Sequence, residues 1–394
     1  MELDAFLELL TPRGQKALGE AAELAGGDPV KAATTLRKTY DATLTSAALT
    51  QAGLRERAKA KFGDDAGRMY FTPHGLEQST RAAVAAHRSR RLSDLVPPAG
   101  ARVVDACCGI GGDALALALA GYTVEAVDAD PLTAAVAAAN ADALGLSGRI
   151  SVRTADAAEV TPEDHDALFA DPARRTGKGR TFDPLAYSPP WPVVLELAAR
   201  APVACLKVAP GIPYEFIPES AETEWVSYRG EVKEAAIWLG GTRPGRRATL
   251  LPGGDTMASG GDAAVAPAGP LGRYVYEPDG AAIRAHLVAE VARMVDGRLA
   301  DPMIAYITGD EPVDTPWASR FLVEEALPFS LKRLRAVLRA REIGNVTIKK
   351  RGSAVDIDRL RQDLRLSGDK SAVIILTRVM NDPYALLCHP SPPA

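Results

Sequence analysis

The 394 residues predict an α/β chain: a mostly parallel, doubly wound sheet at the centre, a helical segment before it and a small α+β domain after it. Three observations lead there. From residue 101 to about 240, short apolar strands alternate with helical stretches, the rhythm of parallel strands joined by crossovers. Residues 1–94 carry helical spacing. Beyond a Gly/Ala/Pro-rich segment at 252–271, residues 316–381 alternate strand and helix again. The length exceeds one ordinary core. The expected parts are a helical domain (1–94), a central domain (95–251), a linker (252–271) and an α+β domain (272–394).

In the first part, Leu3, Phe6, Leu7 and Leu10 follow a three-four spacing. Asp28-Pro29 reads as a cap followed by proline at the first helical position, opening a helix over 30–40. Further helices are expected over 45–62 and 75–94, the last carrying Arg81, His87, Arg88, Arg90 and Arg91. Only Tyr70–His74 invites a functional reading here, as a cover for a ligand.

In the central part the strands are Val103-Val104, Thr123–Val127, Ile150–Arg153, Ala167–Ala170 and Val203–Val208, with helices through Leu115–Ala120 and Ala134–Leu144. Trp225–Tyr228 and Ala235–Leu239 lie only a few residues apart, which suits an antiparallel pair. In the last part the order is strand (Phe321–Glu324), helix (Leu331–Arg341), strand (Val346–Lys350), helix (Ile357–Leu364) and strand (Ala372–Val379).

Composition narrows the function classes. With 47% hydrophobic and 24% charged residues, the chain reads as a soluble globular protein. No apolar run nears the roughly 20 residues a membrane helix needs. The acidic start, Met1-Glu2-Leu3-Asp4, lacks the basic region of a signal peptide, so a cytoplasmic address is expected. Cys107, Cys108, Cys205 and Cys388 show no metal-ligand spacing, and no metal site is expected. The net charge of −4 hides an asymmetry: Pro316–Asn381 holds 14 Lys/Arg against 7 Asp/Glu.

The strongest motif is Val103-Val-Asp-Ala-Cys-Cys-Gly-Ile-Gly-Gly-Asp113, a strand running into a glycine turn and then a helix. Glycines let the backbone approach a ligand, and the helix start offers free N–H groups. A dinucleotide fingerprint needs a third glycine that is absent here. Asp105 before the turn repels a pyrophosphate and suits an ammonium group, so S-adenosylmethionine (SAM) is expected over NAD. Asp128 closes the second strand, where a carboxylate can accept both ribose hydroxyls. Asp156 follows the third strand and either meets the adenine amino group or simply caps a helix. Gly109 and Gly111 hold the methionine end, with Cys107, Ala129 and Ala157 completing the expected cofactor contacts.

The fourth strand ends in Asp171-Pro172-Ala173-Arg174-Arg175. In methyltransferases that act on exocyclic amino groups, this position holds Asp, Asn or Ser followed by two prolines and an aromatic. The polar residue aligns the amine lone pair with the methyl group. Asp171 and Pro172 are therefore the catalytic candidates, and Arg174 replaces the aromatic. Phe182, Tyr187 and Trp191 are candidates for stacking on a base, or ordinary packing residues. Ser188-Pro189-Pro190-Trp191 follows no strand, so Pro189-Pro190 is expected to open the next helix, Val193–Arg200, rather than to act. No cysteine flanks 171–175, which favours a nitrogen acceptor over a ring carbon.

These motifs resemble class I SAM-dependent methyltransferases with a Rossmann-like sheet. The resemblance is to the trimethylguanosine synthase-like branch and to bacterial relatives with a C-terminal THUMP-like domain. It is carried by Thr72-Pro73, Asp105–Gly112, Ala126–Pro131, Asp171–Arg175, Gly230–Glu234 and, for the THUMP-like part, Ile343–Gly352. Trimethylguanosine synthases have Ser-Pro-Pro-Trp at the end of the fourth strand, so cap-guanosine chemistry does not carry over to Asp171-Pro-Ala-Arg. The resemblance implies structured RNA as partner. The helix Leu331–Arg341 agrees, with Lys332, Arg333, Arg335, Arg339 and Arg341 off its apolar face. The expected substrate contacts are Arg175, Lys207, Lys233, Lys349, Lys350 and Arg351. A protein or small-molecule methyltransferase, a non-catalytic RNA-binding protein with a relict cofactor fold, and a nicotinamide oxidoreductase are the alternatives.

Overall fold

The computed structural model describes residues 1–173, 175–176, 179–180, 183–261 and 263–390. The chain forms two compact units, Met1–Glu222 with Glu234–Pro244, and Thr223–Lys233 with Gly245–Ala394.

The first unit begins with helices α1 (Leu3–Leu9), α2 (Pro12–Glu23), α3 (Pro29–Leu36), α4 (Ala42–Phe62), α5 (Pro73–Gln78) and α6 (Ala82–Leu95). Thr11, Asp28, Asp41 and Thr72 cap α2 to α5 by accepting backbone N–H groups, and proline opens α2, α3 and α5. The single helix expected over 75–94 is two. Lys61 donates from Nζ to the carbonyls of Leu76, Glu77 and Ser79 at 2.7, 2.9 and 2.7 Å and so terminates α5. Phe6, Leu9, Leu44, Phe62 and Phe71 join Val103, Val124 and Val136 in one continuous core, so the helices are packed onto the sheet.

That sheet is built from β1 (Arg102–Asp105), β2 (Thr123–Asp128), β3 (Ile150–Thr154) and β4 (Ala167–Ala170), with α7 (Gly112–Leu119) and α8 (Pro131–Ala143) as crossovers. A short ladder, β5 (Arg175–Thr176) with β6 (Gly179–Arg180), precedes α9 (Trp191–Arg200) and β7 (Ala204–Val208). Strands β8 (Glu222–Tyr228) and β9 (Glu231–Leu239) come next in the chain, separated by Arg229-Gly230, both at positive φ. Strand order in the first unit is β3-β2-β1-β4-β7-β9, all parallel except β9. The order reverses between β1 and β4, and ligands of doubly wound sheets sit where it reverses.

In the second unit, β10 (Gly245–Leu251) and β11 (Asp255–Ser259) pair with each other, in the order β11-β10-β8. β11 occupies part of the segment expected as linker, because the Gly253-Gly254 turn folds it back onto β10. Then come β12 (Tyr274–Pro278), α10 (Gly280–Arg284), α11 (Val288–Met294), β13 (Arg298–Asp301), β14 (Ile304–Gly309) and β15 (Ala318–Pro328). The chain closes with α12 (Leu331–Ala340), β16 (Ile343–Lys350), α13 (Ile357–Leu364), β17 (Lys370–Val379) and β18 (Asp382–Pro390). The sheet order is β13-β14-β12-β15-β18-β17-β16. Alternation along β17 sends Ile374 and Leu376 to the cluster holding Leu334, Leu338, Leu360 and Leu364 of α12 and α13. Val373 and Ile375 join the other cluster, with Phe321 and Tyr306. Among the described residues no helix is long and apolar enough to cross a membrane.

Candidate active site

β1 ends at Asp105, and the chain turns through Ala106–Gly111 into α7. Gly111 caps α7 at φ +87°, and a Cβ there would lie 3.4 Å from that of Ala137. The turn is tied down on every side. Ala106 N donates to Phe169 O and Cys108 N to Val127 O, each at 2.9 Å. Gly109 N donates to the Asp128 carboxylate at 2.9 Å, and Asp130 N to its other oxygen at 3.0 Å. Asn140 of α8, wholly buried, donates to Ile110 O at 2.9 Å and Tyr70 O at 3.0 Å and accepts from Tyr70 N at 2.6 Å. Its amide thereby joins the glycine turn to the segment preceding α5.

A cavity of about 1010 Å³ lies over this turn. Asp128, Ala129, Asp156 and Ala157 line one part of it, Cys107 and Gly109 another, and Asp171 and Pro172 a third. Residues 72–75 and 77–80 supply a further wall. The volume has room for a nucleoside-bearing cofactor and part of an acceptor. Each oxygen of Asp128 accepts one backbone N–H and retains a lone pair for a ribose hydroxyl. Asp156 caps a short 3-10 turn by accepting from Ala158 N at 2.8 Å while facing the same cavity. The donor and acceptor set therefore fits SAM. When bound, SAM supplies an electrophilic methyl group on a sulfonium.

The charges beneath the cavity form two groups. Arg88 of α6 is buried, pairs with both Asp113 and Glu234, and lies over the Phe169 ring at 4.9 Å. Thr80 donates to the second oxygen of Asp113 at 2.9 Å. Burial alone would raise the Asp113 carboxyl, but Arg88 and then Lys207 hold it below the ordinary carboxylate range. The second group is an ion pair of Lys207 with Asp171 Oδ2. Among the described residues Asp105 pairs with no cation: one oxygen accepts from Cys107 N at 3.4 Å and Oδ2 has no partner. Burial, with Asp113 next in weight, pushes its carboxyl well above the ordinary range.

An uncharacterized S-adenosylmethionine-dependent methyltransferase of Mycobacterium tuberculosis is 36% identical over 357 residues, spanning 86% of this chain and 95% of that one. The chain belongs to the SAM-dependent methyltransferases. Family models described as RNA cap guanine-N2 methyltransferase and THUMP domain-like match residues 100–194 and 318–390 of the methyltransferase, and a domain of unknown function matches 2–58. A 23S rRNA (uracil(1939)-C(5))-methyltransferase of Acidithiobacillus ferrooxidans is 31% identical over 113 residues, 27% of this chain and 26% of that one. A structure from Porphyromonas gingivalis W83, described as a methyltransferase, superposes with a TM-score of 0.77 at 21% identity, covering 96% of this chain and 99% of that one. At that identity the likeness is one of fold.

The structure brings Cys107, Gly109, Asp128, Ala129, Asp156, Ala157, Asp171 and Pro172 of the methyltransferase to one cavity. Asp105 differs: its side chain is wholly buried under the turn, and Asp113 reaches the cavity instead. Lys207, expected to touch substrate, is spent on Asp171. Lys233 pairs with Glu231 at 2.5 Å, a turn-charge partner rather than a free cation. Lys349 and Arg351 both reach Glu277, and Lys350 donates to Val355 O at 2.9 Å. Arg174 and Phe182 lie outside the described residues, as does the side chain of Arg175.

Ser188-Pro189-Pro190, which sequence reasoning set aside, lines the cavity. Ala173 N donates to Ser188 O at 2.8 Å and Ser188 N to Ala173 O at 2.9 Å, stitching it beside Asp171-Pro172. Helix α9 begins at Trp191, two residues before the expected Val193, and the Trp191 indole is buried and donates to Phe216 O at 2.9 Å. Tyr187 is buried as well, so both aromatics are packing residues.

Proposed function

We propose that the methyltransferase moves the SAM methyl group to a base nitrogen of structured RNA. The observation that carries this reading is Asp171. It follows β4 directly, lines the cavity shared with Asp128 and Asp156, and, among the described residues, pairs only with Lys207, through Oδ2. Asp128 would hold the ribose and Asp156 the adenine. The turn through Gly109 and Gly111 would hold the methionine, with Asp105 acting from beneath. Asp171 would accept a hydrogen bond from the acceptor amine and align its lone pair, and alignment supplies much of what an in-line displacement needs. Arg174 and Arg175 would sit at the nucleic acid. Nitrogen is favoured over a ring carbon because Cys107 and Cys108 are poor nucleophiles. Burial, and after it Asp105, pushes both thiols well up. We also propose the functional division into 1–94, 95–251, 252–271 and 272–394, and a cytoplasmic location.

RNA as partner is supported by the family models and by the rRNA-modifying relative. It is also supported by cations that have no partner among the described residues. Lys332, Arg333 and Arg339 of α12 are exposed and unpaired. A cation in the first turn opposes the helix macrodipole, so Lys332 and Arg333 do not serve helix stability. Reversing these three to Glu is expected to weaken RNA binding and to lower the slope of log K against log salt by about 2–3. Lys349→Gln with Arg351→Gln is expected to leave that slope alone. Equal slopes for the α12 variant and the wild type would remove α12 from the interface.

The deciding experiment is transfer of labelled methyl from SAM into a lysate of cells lacking the gene, fractionated into RNA, protein and small molecules. Asp171→Ala runs beside the wild type. Label in RNA that drops at least about 100-fold in the variant is the expected result. Label confined to protein or small molecules would overturn the RNA acceptor and leave the enzyme class standing.

A further inference from the structure

Leu206 of β7 pairs with Ala170 of β4 in parallel register, so Lys207 falls beside Asp171 one step further on. Lys207 is 5% exposed and does not line the cavity, whereas Asp171 does. The ammonium takes Oδ2 of Asp171, and Oδ1 has no partner among the described residues. Burying an ammonium is costly unless it is paired, and here its partner is the carboxylate proposed to meet the acceptor.

The charge at this point decides what can react. A bare carboxylate would attract alkylammonium groups, which have no lone pair to offer, whereas a carboxylate already paired with an ammonium attracts them less. We propose that Lys207 is a positioning and specificity-determining residue: its ion pair makes Asp171 a hydrogen-bond acceptor without net charge, so the site takes an uncharged aromatic amine and refuses an alkylammonium. This rests on the reading above that Asp171 meets the acceptor. In the step itself the nitrogen lone pair forms the N–CH₃ bond as the S–CH₃ bond breaks. The sulfur is left as a neutral thioether, and the nitrogen then gives one proton to solvent water. The Lys207–Asp171 pair is unchanged throughout.

The test compares two ligands by calorimetry. S-adenosylhomocysteine is neutral at sulfur, whereas sinefungin carries an ammonium at the position of the methyl group. Lys207→Met leaves Asp171 uncompensated and is expected to shift preference toward sinefungin by about tenfold or more. Asp171→Asn leaves Lys207 uncompensated and is expected to shift it the other way. Lys207→Arg, and the double variant Lys207→Met with Asp171→Asn, are expected to stay near the wild-type ratio. A merely structural role for Lys207 would weaken both ligands together. If Lys207→Met is too unstable to purify, Asp171→Asn and the double variant alone give the same sign test. Ratios within twofold of each other across all variants would overturn the proposal, even with label found in RNA. Wild-type label in lysine side chains would overturn the selectivity for a neutral amine even if the ratios move.

Discussion

Replacing Arg88 with Met is expected to destabilise the first unit by about 3–5 kcal/mol, read as a lower urea midpoint or loss of soluble protein. The side chain of Arg88 is 6% exposed, and its guanidinium answers two carboxylates, Asp113 and Glu234, themselves 11% and 2% exposed. Met fills similar volume and can keep the Phe169 contact, so the loss reads the uncompensated charges rather than a cavity. Arg88→Lys should lie between, since one ammonium cannot reproduce a planar fork that serves two partners. The pH dependence has a definite sign. In the wild type the Asp113 carboxyl is held below its ordinary value, so this contribution is present through neutral and mildly acid pH and is lost only as pH falls toward the folded pKa. Without Arg88, burial dominates and the carboxyl titrates higher. Stability of the variant should then rise as pH falls from 7 to 5, where that of the wild type does not. Matching pH profiles for the two proteins would mean that Asp113 does not depend on Arg88. The pair also bears on function, because Asp113 opens α7 and faces the cavity that Thr80 and Asp171 share.

Arg88 and Glu234 lie far apart in the chain, and no local pattern announces their meeting. That marks the boundary of what the sequence made legible. The cofactor turn was readable because its parts are contiguous: a strand, glycines at positions needing positive φ, and a helix start, with Asp128 and Asp156 at the ends of the next two strands. The parallel strands were readable for the same reason. Long-range pairings were not. Lys207 looked like a substrate contact because its register against Asp171 depends on which strands are neighbours. Lys349 and Arg351 looked like free cations because Glu277 comes from another strand. Ser188 was set aside for want of a preceding strand, although two backbone hydrogen bonds to Ala173 place it at the cavity. β18 was missed because its hairpin turns on Met380-Asn381, both at positive φ with no glycine to signal it.

Asp128→Ala is expected to weaken S-adenosylhomocysteine binding by about 100- to 1,000-fold, the loss of two hydrogen bonds to a charged acceptor. Two contributions combine. The carboxylate is the group at the end of β2 positioned to accept ribose hydroxyls. It also fixes the glycine turn, since Gly109 N and Asp130 N donate to its two oxygens at 2.9 and 3.0 Å. Asp128→Asn separates them. The amide keeps one acceptor oxygen and the shape of the side chain but presents an NH₂ to the other N–H, so a loss of about tenfold is expected. Comparing S-adenosylhomocysteine with its 2′-deoxy analogue in both proteins completes a cycle. If Asp128 holds the ribose, the deoxy analogue loses affinity against the wild type but little further against Asp128→Ala. An equal penalty in both proteins would assign the ribose to another residue and leave Asp128 as a brace for the turn. Thermal unfolding without ligand reads that bracing role by itself, because a residue that only contacted ribose would leave the ligand-free midpoint where it was.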